Sequence, residues 1–514
     1  MHLTQFLHRA LQQDPDRPMT ACGERVRTTR DVVGRIGRLA GGLRGLGVEE
    51  GDRVAILALN SDRYHEAFFA SWWLGAAITP VNIRWSAAEI AYAISDAGAR
   101  VLLVDDTFEA LVPELRDRCP ELRTLVHCGE EAPPEGMTGY ERLIEDSTAV
   151  EDLRIGGDAL AAVLYTGGTT GFPKGVMVTH RGLVTSTMGT QAVNRSAIPG
   201  GVALVGAPMF HIAAIAGWMQ QICVGGTAVF LPAFTPVAVF EAVQRHRVTS
   251  MGMVPTMLQM LVDHAGADQY ELESVQTIGY GASPVSATLL ERAMRRFPRA
   301  GFVQGYGMTE TAMICVLGRE EHRKGGRLLR SAGRATPHCE VRIAGLDGQE
   351  LPRGEIGELT ARGDNVMPGY WNLPEQSAEA LRDGWMYTGD AAYMDDEGYV
   401  FVVDRLKDMI ITGGENVYST EVENALAAHP AVASCAVVGL SDDKWGERVH
   451  AEVVLKPGAA ATDEELRAHV RSLIAGYKVP RSITITDALP VSAAGKILKR
   501  DLRKRYEADA EPRS

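Results

Sequence analysis

The residues best suited to chemistry lie in one stretch, Tyr165-Thr166-Gly167-Gly168-Thr169-Thr170-Gly171-Phe172-Pro173-Lys174-Gly175. Its glycines let backbone N–H groups converge, its threonines add hydroxyl donors, and Lys174 supplies a point charge. Such a loop suits phosphate, although a Gly/Thr-rich turn between two strands also satisfies the pattern when taken alone. A Walker A loop needs Gly-Lys-Ser/Thr at its end, whereas Lys174 follows Pro173 and precedes Gly175. Other polar residues recur where apolar runs end. Thr309-Glu310 joins a hydroxyl to a carboxylate, and a carboxylate near phosphates commonly holds Mg²⁺. Asp390, after Thr388-Gly389, could accept two ribose hydroxyl protons, with Arg405 beside it. Singly, each of these is more often a cap or a surface salt bridge.

The elements that must position these residues follow from hydrophobic periodicity. Ala159–Leu164 and Val176–Val178 read as strands flanking the loop. Before them come helix 30–46, strand 54–57, helix 62–76, strand 77–81, helix 86–97 and strand 100–104. Alternation of helices with fully apolar strands is the pattern of parallel sheets covered on both faces. Residues 130–158 are polar and read as a linker. Strands follow at 202–207, 224–231, 250–254, 276–278 and 301–303, with helices at 236–246 and up to 296. From about 330 short strands and turns suggest a β-rich subdomain. The charged run Asp404-Arg405-Leu406-Lys407-Asp408 marks a domain boundary. Beyond it, Thr462 and Glu465 form a capping box for a helix with Leu466, Val470, Leu473 and Ile474 on its apolar face.

Composition narrows the partners. A chain of 514 residues with 46% hydrophobic content has material for more than one core. A net charge of −13 argues against nucleic acid as a partner. The seven scattered cysteines form no Cys-x-x-Cys pair, which suits a reduced cytoplasm. No signal peptide is read at the N-terminus, and the apolar run 67–81 is too short to span a membrane.

Taken together and in order, seven segments are far more specific than any one: Tyr165–Gly175, Phe210-His211, Gly281–Pro284, Gln304–Thr311, Tyr387–Asp390, Asp404–Lys407 with Gly413–Tyr418, and Pro490–Lys496. On these the chain resembles the adenylate-forming (ANL) superfamily of acyl-CoA synthetases, luciferases and peptide-synthetase adenylation domains. Within it the chain looks most like AMP-forming bacterial fatty-acid– and aryl-acid–CoA ligases. The resemblance implies an α/β fold. A large N-terminal domain, residues 1–403, would comprise two parallel-sheet α/β subdomains and a β-rich one, followed by a small mobile α+β domain, 404–514. It implies that a carboxylic acid, ATP with Mg²⁺, and CoA are the small-molecule partners, and a homodimer is an assembly it allows.

The roles implied are as follows. Thr166, Thr169, Thr170 and Lys174 hold the β- and γ-phosphates, with backbone contacts from Gly167 and Gly168. Thr309 contacts the α-phosphate. Glu310, with Thr166, binds Mg²⁺. Gly281, Ala282, Ser283 and Tyr306 frame the adenine, and Asp390 and Arg405 bind the ribose. Lys496 bridges carboxylate and α-phosphate in the adenylation transition state. Lys407 is the hinge, Gly413 and Gly414 line a pantetheine tunnel, and Trp445 lies either on the CoA path or in ordinary packing. His211 gates the acyl pocket, where amino-acid-activating relatives carry an acidic residue. Small residues Ala213, Ala214, Ala216 and Gly217 either leave room there or permit close helix packing, and Trp218, Tyr280 and Met308 are candidates for the wall. The sequence departs from the family at Gly167, where Ser is usual. An inactive nucleotide sensor, a carrier-protein-loading enzyme and a luciferase-like oxygenase share many of these motifs.

Overall fold

In a computed structural model, described over residues 1–167, 173–283, 285–442, 444–491 and 497–510, the chain divides into two compact units. One comprises Met1–Pro284, Leu289–Val341 and Ala361–Met386, and the other Val285–Thr288, Arg342–Thr360 and Tyr387–Ser514. The division expected at 403/404 therefore lies inside the second unit, which begins earlier and takes in 342–360.

The first unit holds two large sheets. In the seven-stranded sheet, Arg53–Leu57 pairs in parallel with Ala77–Pro80 and Val101–Val104, and Val101–Val104 pairs with Thr124–His127. These strands are almost wholly apolar because helices cover both faces. The sheet ends in an antiparallel hairpin, Leu160–Thr166 with Lys174–Thr179. The nine-stranded sheet is parallel through Pro18–Cys22, Thr227–Phe230, Val202–Val205, Ser250–Met253, Thr277–Gly281 and Gly301–Met308. Antiparallel strands close both of its ends.

Helix ends follow their capping residues. Thr28 accepts from the Asp31 N–H while Asp31 accepts from Thr28 in return, starting the helix Thr29–Gly45. Residues 130–158 are not merely a linker: they contain the helix Tyr140–Asp146. That helix is too short and polar to show periodicity, and it packs where glycine leaves room. A Cβ on Gly42 would lie 2.6 Å from Leu143. The main core centres on Trp72, Trp218, Phe68, Phe69 and Phe230. Trp218 is fully buried and donates through Nε1 to His65 Nδ1 at 3.0 Å. Trp218 is thus a core residue and not a wall of an acyl pocket.

In the second unit Val400–Arg405 runs antiparallel to the strand Trp385–Met394 over residues 390–394. A further sheet pairs Val432–Asp442 with Gly446–Leu455, and Ile410–Thr412 with Glu415–Val417. Helices Ser419–Ala427, Asp463–Leu473 and Lys499–Ala510 accompany it. The Thr462–Glu465 capping box is present, and Leu466 and Val470 are buried. Leu473 is instead 52% exposed, because the helix ends there and its last turn leaves the core. Among the described residues, no helix is long and apolar enough to cross a membrane.

Candidate active site

In the first unit the hairpin register sets Thr166 opposite Lys174, at the two ends of the phosphate loop. Gly168, Thr169 and Thr170 lie outside the described residues. A Cβ on Gly167 would meet nothing within 4 Å, so the serine usual there would fit without strain. The Lys174 ammonium sits 5.0 Å from the centroid of the Tyr370 ring. The Tyr370 hydroxyl in turn donates to Glu310 Oε1 at 2.9 Å. Glu310 is 8% exposed, and its carbonyl accepts from the Met367 N–H at 2.8 Å. Lys174 and Glu310, assigned to phosphate and cation, therefore converge on one tyrosine that motif reasoning passed over. Its only sequence signal is the cluster Gly369-Tyr370-Trp371-Asn372, aromatic and amide residues in an otherwise polar turn.

A hard divalent cation takes oxygen ligands. Glu310 fits, because Tyr370 occupies one carboxylate oxygen and Oε2 remains as a ligand atom. The Thr166 hydroxyl is of the right chemistry, and it lies 3.5 Å from the Lys174 carbonyl, longer than a normal hydrogen bond. Glu310 with Thr166 would hold Mg²⁺, which when bound would neutralise phosphate charge.

The residues expected to frame the adenine meet through sheet register. Gly281 pairs with Gly305, bringing Gly281-Ala282-Ser283 beside the strand that carries Tyr306. A Cβ on Gly281 would lie 2.2 Å from the Gly305 carbonyl oxygen, so glycine is required. Ala282 adopts φ 67°, unusual for a residue with a side chain, and turns the chain away at the strand end. A bulge between Tyr306 and Gly307 re-aims the backbone just before Thr309.

His211 precedes the helix Ile212–Cys223 and packs on Phe210 with ring centroids 4.3 Å apart. Along that helix Ala214 and Ala216 are buried, whereas Ala213 and Gly217 are exposed. A Cβ on Gly217 or on Gly252 would meet nothing within 4 Å, and on Gly279 nothing nearer than 3.9 Å. Gly252 and Gly279 are cross-strand partners in the middle of the sheet, against whose strands this helix packs. Central sheet strands are normally covered, so two adjacent glycines with open space above them mark a flat floor able to take a ligand. Sequence reading noticed the helix residues and missed this floor. Tyr280 is buried with its hydroxyl 2.8 Å from His322 Nε2, and Met308 packs against the main core.

In the second unit Asp390 and Arg405 are cross-strand partners and form an ion pair at 2.6 Å, with Asp390 buried. Lys407 is exposed in the turn Leu406–Asp408; partial desolvation lowers its pKa, and the Asp408 charge opposes that shift. Its neighbour Asp404 accepts from the Arg405 N–H at 2.8 Å and from the Ser419 hydroxyl at 2.6 Å. It also accepts from the Ser419 N–H. Asp404 thereby caps the helix Ser419–Ala427 from the start of the charged run 404–408, a role its charge alone did not reveal.

Gly413 and Gly414 adopt φ of 61° and 84° in a hairpin turn. The Gly413 N–H donates to the Trp445 carbonyl at 2.8 Å, and a Cβ on Gly413 would lie 2.9 Å from the indole. Trp445 is also overlaid by Arg481 at 4.4 Å. Lys496 lies outside the described residues. The base of its loop is defined: Val491 bridges Ile497, and Leu498 N–H donates to Pro490. Lys499 ties the following helix to Ser419 at 2.6 Å and Glu423 at 2.7 Å.

A Gly/Thr-rich stretch ending at Lys174, a buried carboxylate and an open glycine floor on two α/β sheets fit an adenylate-forming enzyme. The chain belongs to the AMP-binding enzyme family, whose model matches residues 7–371, with the AMP-binding enzyme C-terminal domain matching 421–496. It is an AMP-forming ligase of the adenylate-forming superfamily. It is 41% identical to a feruloyl-CoA synthase of Amycolatopsis sp. over 485 residues, covering 93% of this chain and 94% of that protein. It is 35% identical to a fatty acid–[acyl-carrier-protein] ligase of Streptomyces coeruleorubidus, covering 97% and 95%. Among solved structures, ATP-bound MatB from Rhodopseudomonas palustris aligns with TM-score 0.90 at 28% identity over 99% of this chain and all of that one. An anthranilate CoA ligase in complex with anthranoyl-AMP aligns with TM-score 0.92 at 26% identity, covering 100% and 98%.

Proposed function

We propose that the protein is an ATP-dependent acid–CoA ligase acting on a hydrophobic carboxylic acid. A carboxylate oxygen attacks the α-phosphorus of ATP, the bond to the bridging oxygen breaks, and pyrophosphate leaves. The CoA thiolate then attacks the acyl carbon of the mixed anhydride, and AMP departs with the bonding electron pair. The first step joins an anion to a polyanion, so it needs alignment and charge neutralisation more than acid–base chemistry. Thr166, Lys174 and the loop between them grip the β- and γ-phosphates. Thr309 contacts the α-phosphate, and the role of Lys496 is to stabilise charge that builds in the transition state. Gly281, Ala282, Ser283 and Tyr306 frame the adenine, and Asp390 with Arg405 holds the ribose. Lys407 serves as the hinge, and Gly413, Gly414 and Trp445 lie along the pantetheine route. His211 stands at the entrance to the acyl site. We place the reaction in the cytoplasm.

The observation that carries this reading is the convergence of Lys174 and Glu310 on Tyr370. It arranges opposite charges for a metal–triphosphate rather than for each other. A fatty or other hydrophobic acyl group suits the small, exposed residues Ala213 and Gly217. An aryl acid is favoured by the paired Gly252 and Gly279, whose side-chain-free floor matches a planar ring. The similarity to feruloyl-CoA synthase supports the same reading.

The test is loss of the free CoA thiol with ATP and a panel of fatty, cinnamic, benzoic and dicarboxylic acids. Acid-dependent consumption of the CoA thiol, with AMP formed in equal amount, is expected for a hydrophobic acid. Acyl transfer only to a carrier protein would replace CoA as acceptor. Failure of every acid to elicit pyrophosphate release would point to a nucleotide sensor.

A further inference from the structure

We propose that Tyr370 is a positioning residue that holds the cation ligand Glu310 and the phosphate-binding Lys174 ready for the metal–nucleotide while keeping them from pairing with one another. This rests on the reading of Glu310 as the cation ligand.

The segment around Tyr370 is fixed from both sides. Tyr370 forms an antiparallel bridge with Val176, the Met177 N–H donates to the Gly369 carbonyl at 3.1 Å, and the Trp371 N–H donates to the Gly175 carbonyl at 2.7 Å. It therefore extends the edge of the strand that begins at Lys174. The Tyr370 N–H donates to Ser377 Oγ at 2.8 Å, and Trp371 Nε1 donates to the Asp96 carbonyl at 2.9 Å. Asp96 also accepts from the Tyr165 hydroxyl at 2.6 Å, so the start of the phosphate loop is tied to the same anchor.

On this fixed backbone one side chain serves two charges. The hydroxyl donates to the Glu310 carboxylate and the ring face receives the Lys174 ammonium. A lysine and a glutamate placed together in a partly buried site would form an ion pair that incoming phosphate and cation would have to break. Tyr370 gives each a neutral partner instead. A π face attracts an ammonium less strongly than phosphate does. A single hydroxyl occupies only one carboxylate oxygen and fixes the direction of the other. The charges stay oriented, and both yield when the ligand arrives.

The test uses the full-length enzyme with Mn²⁺ as a spectroscopic stand-in for Mg²⁺ and α,β-methylene-ATP as a non-reacting nucleotide. Bound Mn²⁺ is read from loss of the free-ion EPR signal. Tyr370→Phe keeps the ring and loses the hydroxyl, and is expected to weaken Mn²⁺ retention about ten-fold, as for one hydrogen bond to a charged group. In a Glu310→Gln background the same change is expected to add nothing. Tyr370→Leu also removes the ring and should weaken nucleotide binding by a further two- to five-fold. Lys174→Met, which leaves Tyr370 intact, should weaken nucleotide binding without altering the Tyr370→Phe effect on Mn²⁺. Thermal melting without ligand identifies any variant that is simply unfolded. Mn²⁺ retention by Tyr370→Phe within two-fold of the parent, or an equal loss in the Glu310→Gln background, overturns the proposal while Glu310 keeps its assignment. Unchanged Mn²⁺ retention in Glu310→Gln alone overturns both.

Discussion

Placing side chains of increasing size on Gly252 tests whether the acid binds on the glycine floor. Gly252 is the exposed third residue of the strand Ser250–Met253, and the residues on either side of it in that strand are buried. An added Cβ meets nothing within 4 Å, and its backbone lies outside the left-handed region. Gly252→Ala should therefore fold normally and gain about 0.5–1 kcal/mol, because glycine in a strand loses more conformational freedom on folding. If the acid lies on this floor, the same methyl intrudes on it. One methyl group in an apolar site changes discrimination by about 1–3 kcal/mol, or roughly 10–200-fold in kcat/KM. Gly252→Val and Gly252→Leu should then remove activity towards ring-bearing acids progressively, with thin straight-chain acids least affected. The KM for ATP should stay constant, since the residues proposed to frame the adenine are others. The assay is CoA-thiol consumption at saturating ATP with the acid varied, paired with urea unfolding of each variant. A folded Gly252→Leu enzyme with unchanged kcat/KM for every acid would refute the reasoning. A loss of stability in Gly252→Ala would show that the space over the strand is not open.

Asp404→Asn removes charge from a carboxylate that accepts from Ser419, Thr420 and Arg405. Hydrogen exchange of the amides in 419–427 should speed by an amount matching about 1–3 kcal/mol of lost local stability; unchanged exchange contradicts the capping role. His65 is fully buried, accepts from Trp218, and has its pKa lowered to about 3 by desolvation. A folded-state value below the ordinary 6.5 means that protonation opposes folding, so this stability is complete above about pH 6.5 and is lost as pH falls towards 3. At pH 5 the loss is about 2 kcal/mol. His65→Gln, which keeps an acceptor for Trp218, should flatten the acid limb of urea-unfolding curves, and an unchanged limb counts against it. Lys496→Ala should abolish acid-dependent pyrophosphate release while CoA still consumes supplied acyl-AMP; an undiminished pyrophosphate rate excludes Lys496 from the first step.

What was legible beforehand follows from the range over which each signal acts. Strands such as Val101–Val104 and helix Pro236–His246 were apparent because burial on one face or two imprints a local period. The motif segments were apparent because glycines and charges needed at one ligand sit close together in the chain. Trp218 was misplaced for the same reason: next to small helix residues it looks like a pocket wall, and only its distant partners His65, Phe68 and Phe230 show that it belongs to the core. The glycine floor escaped notice because Gly252 and Gly279 are each unremarkable alone, and become a surface only when parallel register sets them side by side. Tyr370 escaped for a stronger reason. Its role requires the chain at 369–371 to pair with 175–177, some two hundred residues earlier, and to face Glu310 across a third segment. Residues that touch ligand can be recognised by type, since their chemistry must match the ligand. Residues that orient those groups need only match their neighbours, and an aromatic ring with one hydroxyl can do that in many places. The neighbours, and so the fold, are what identify Tyr370.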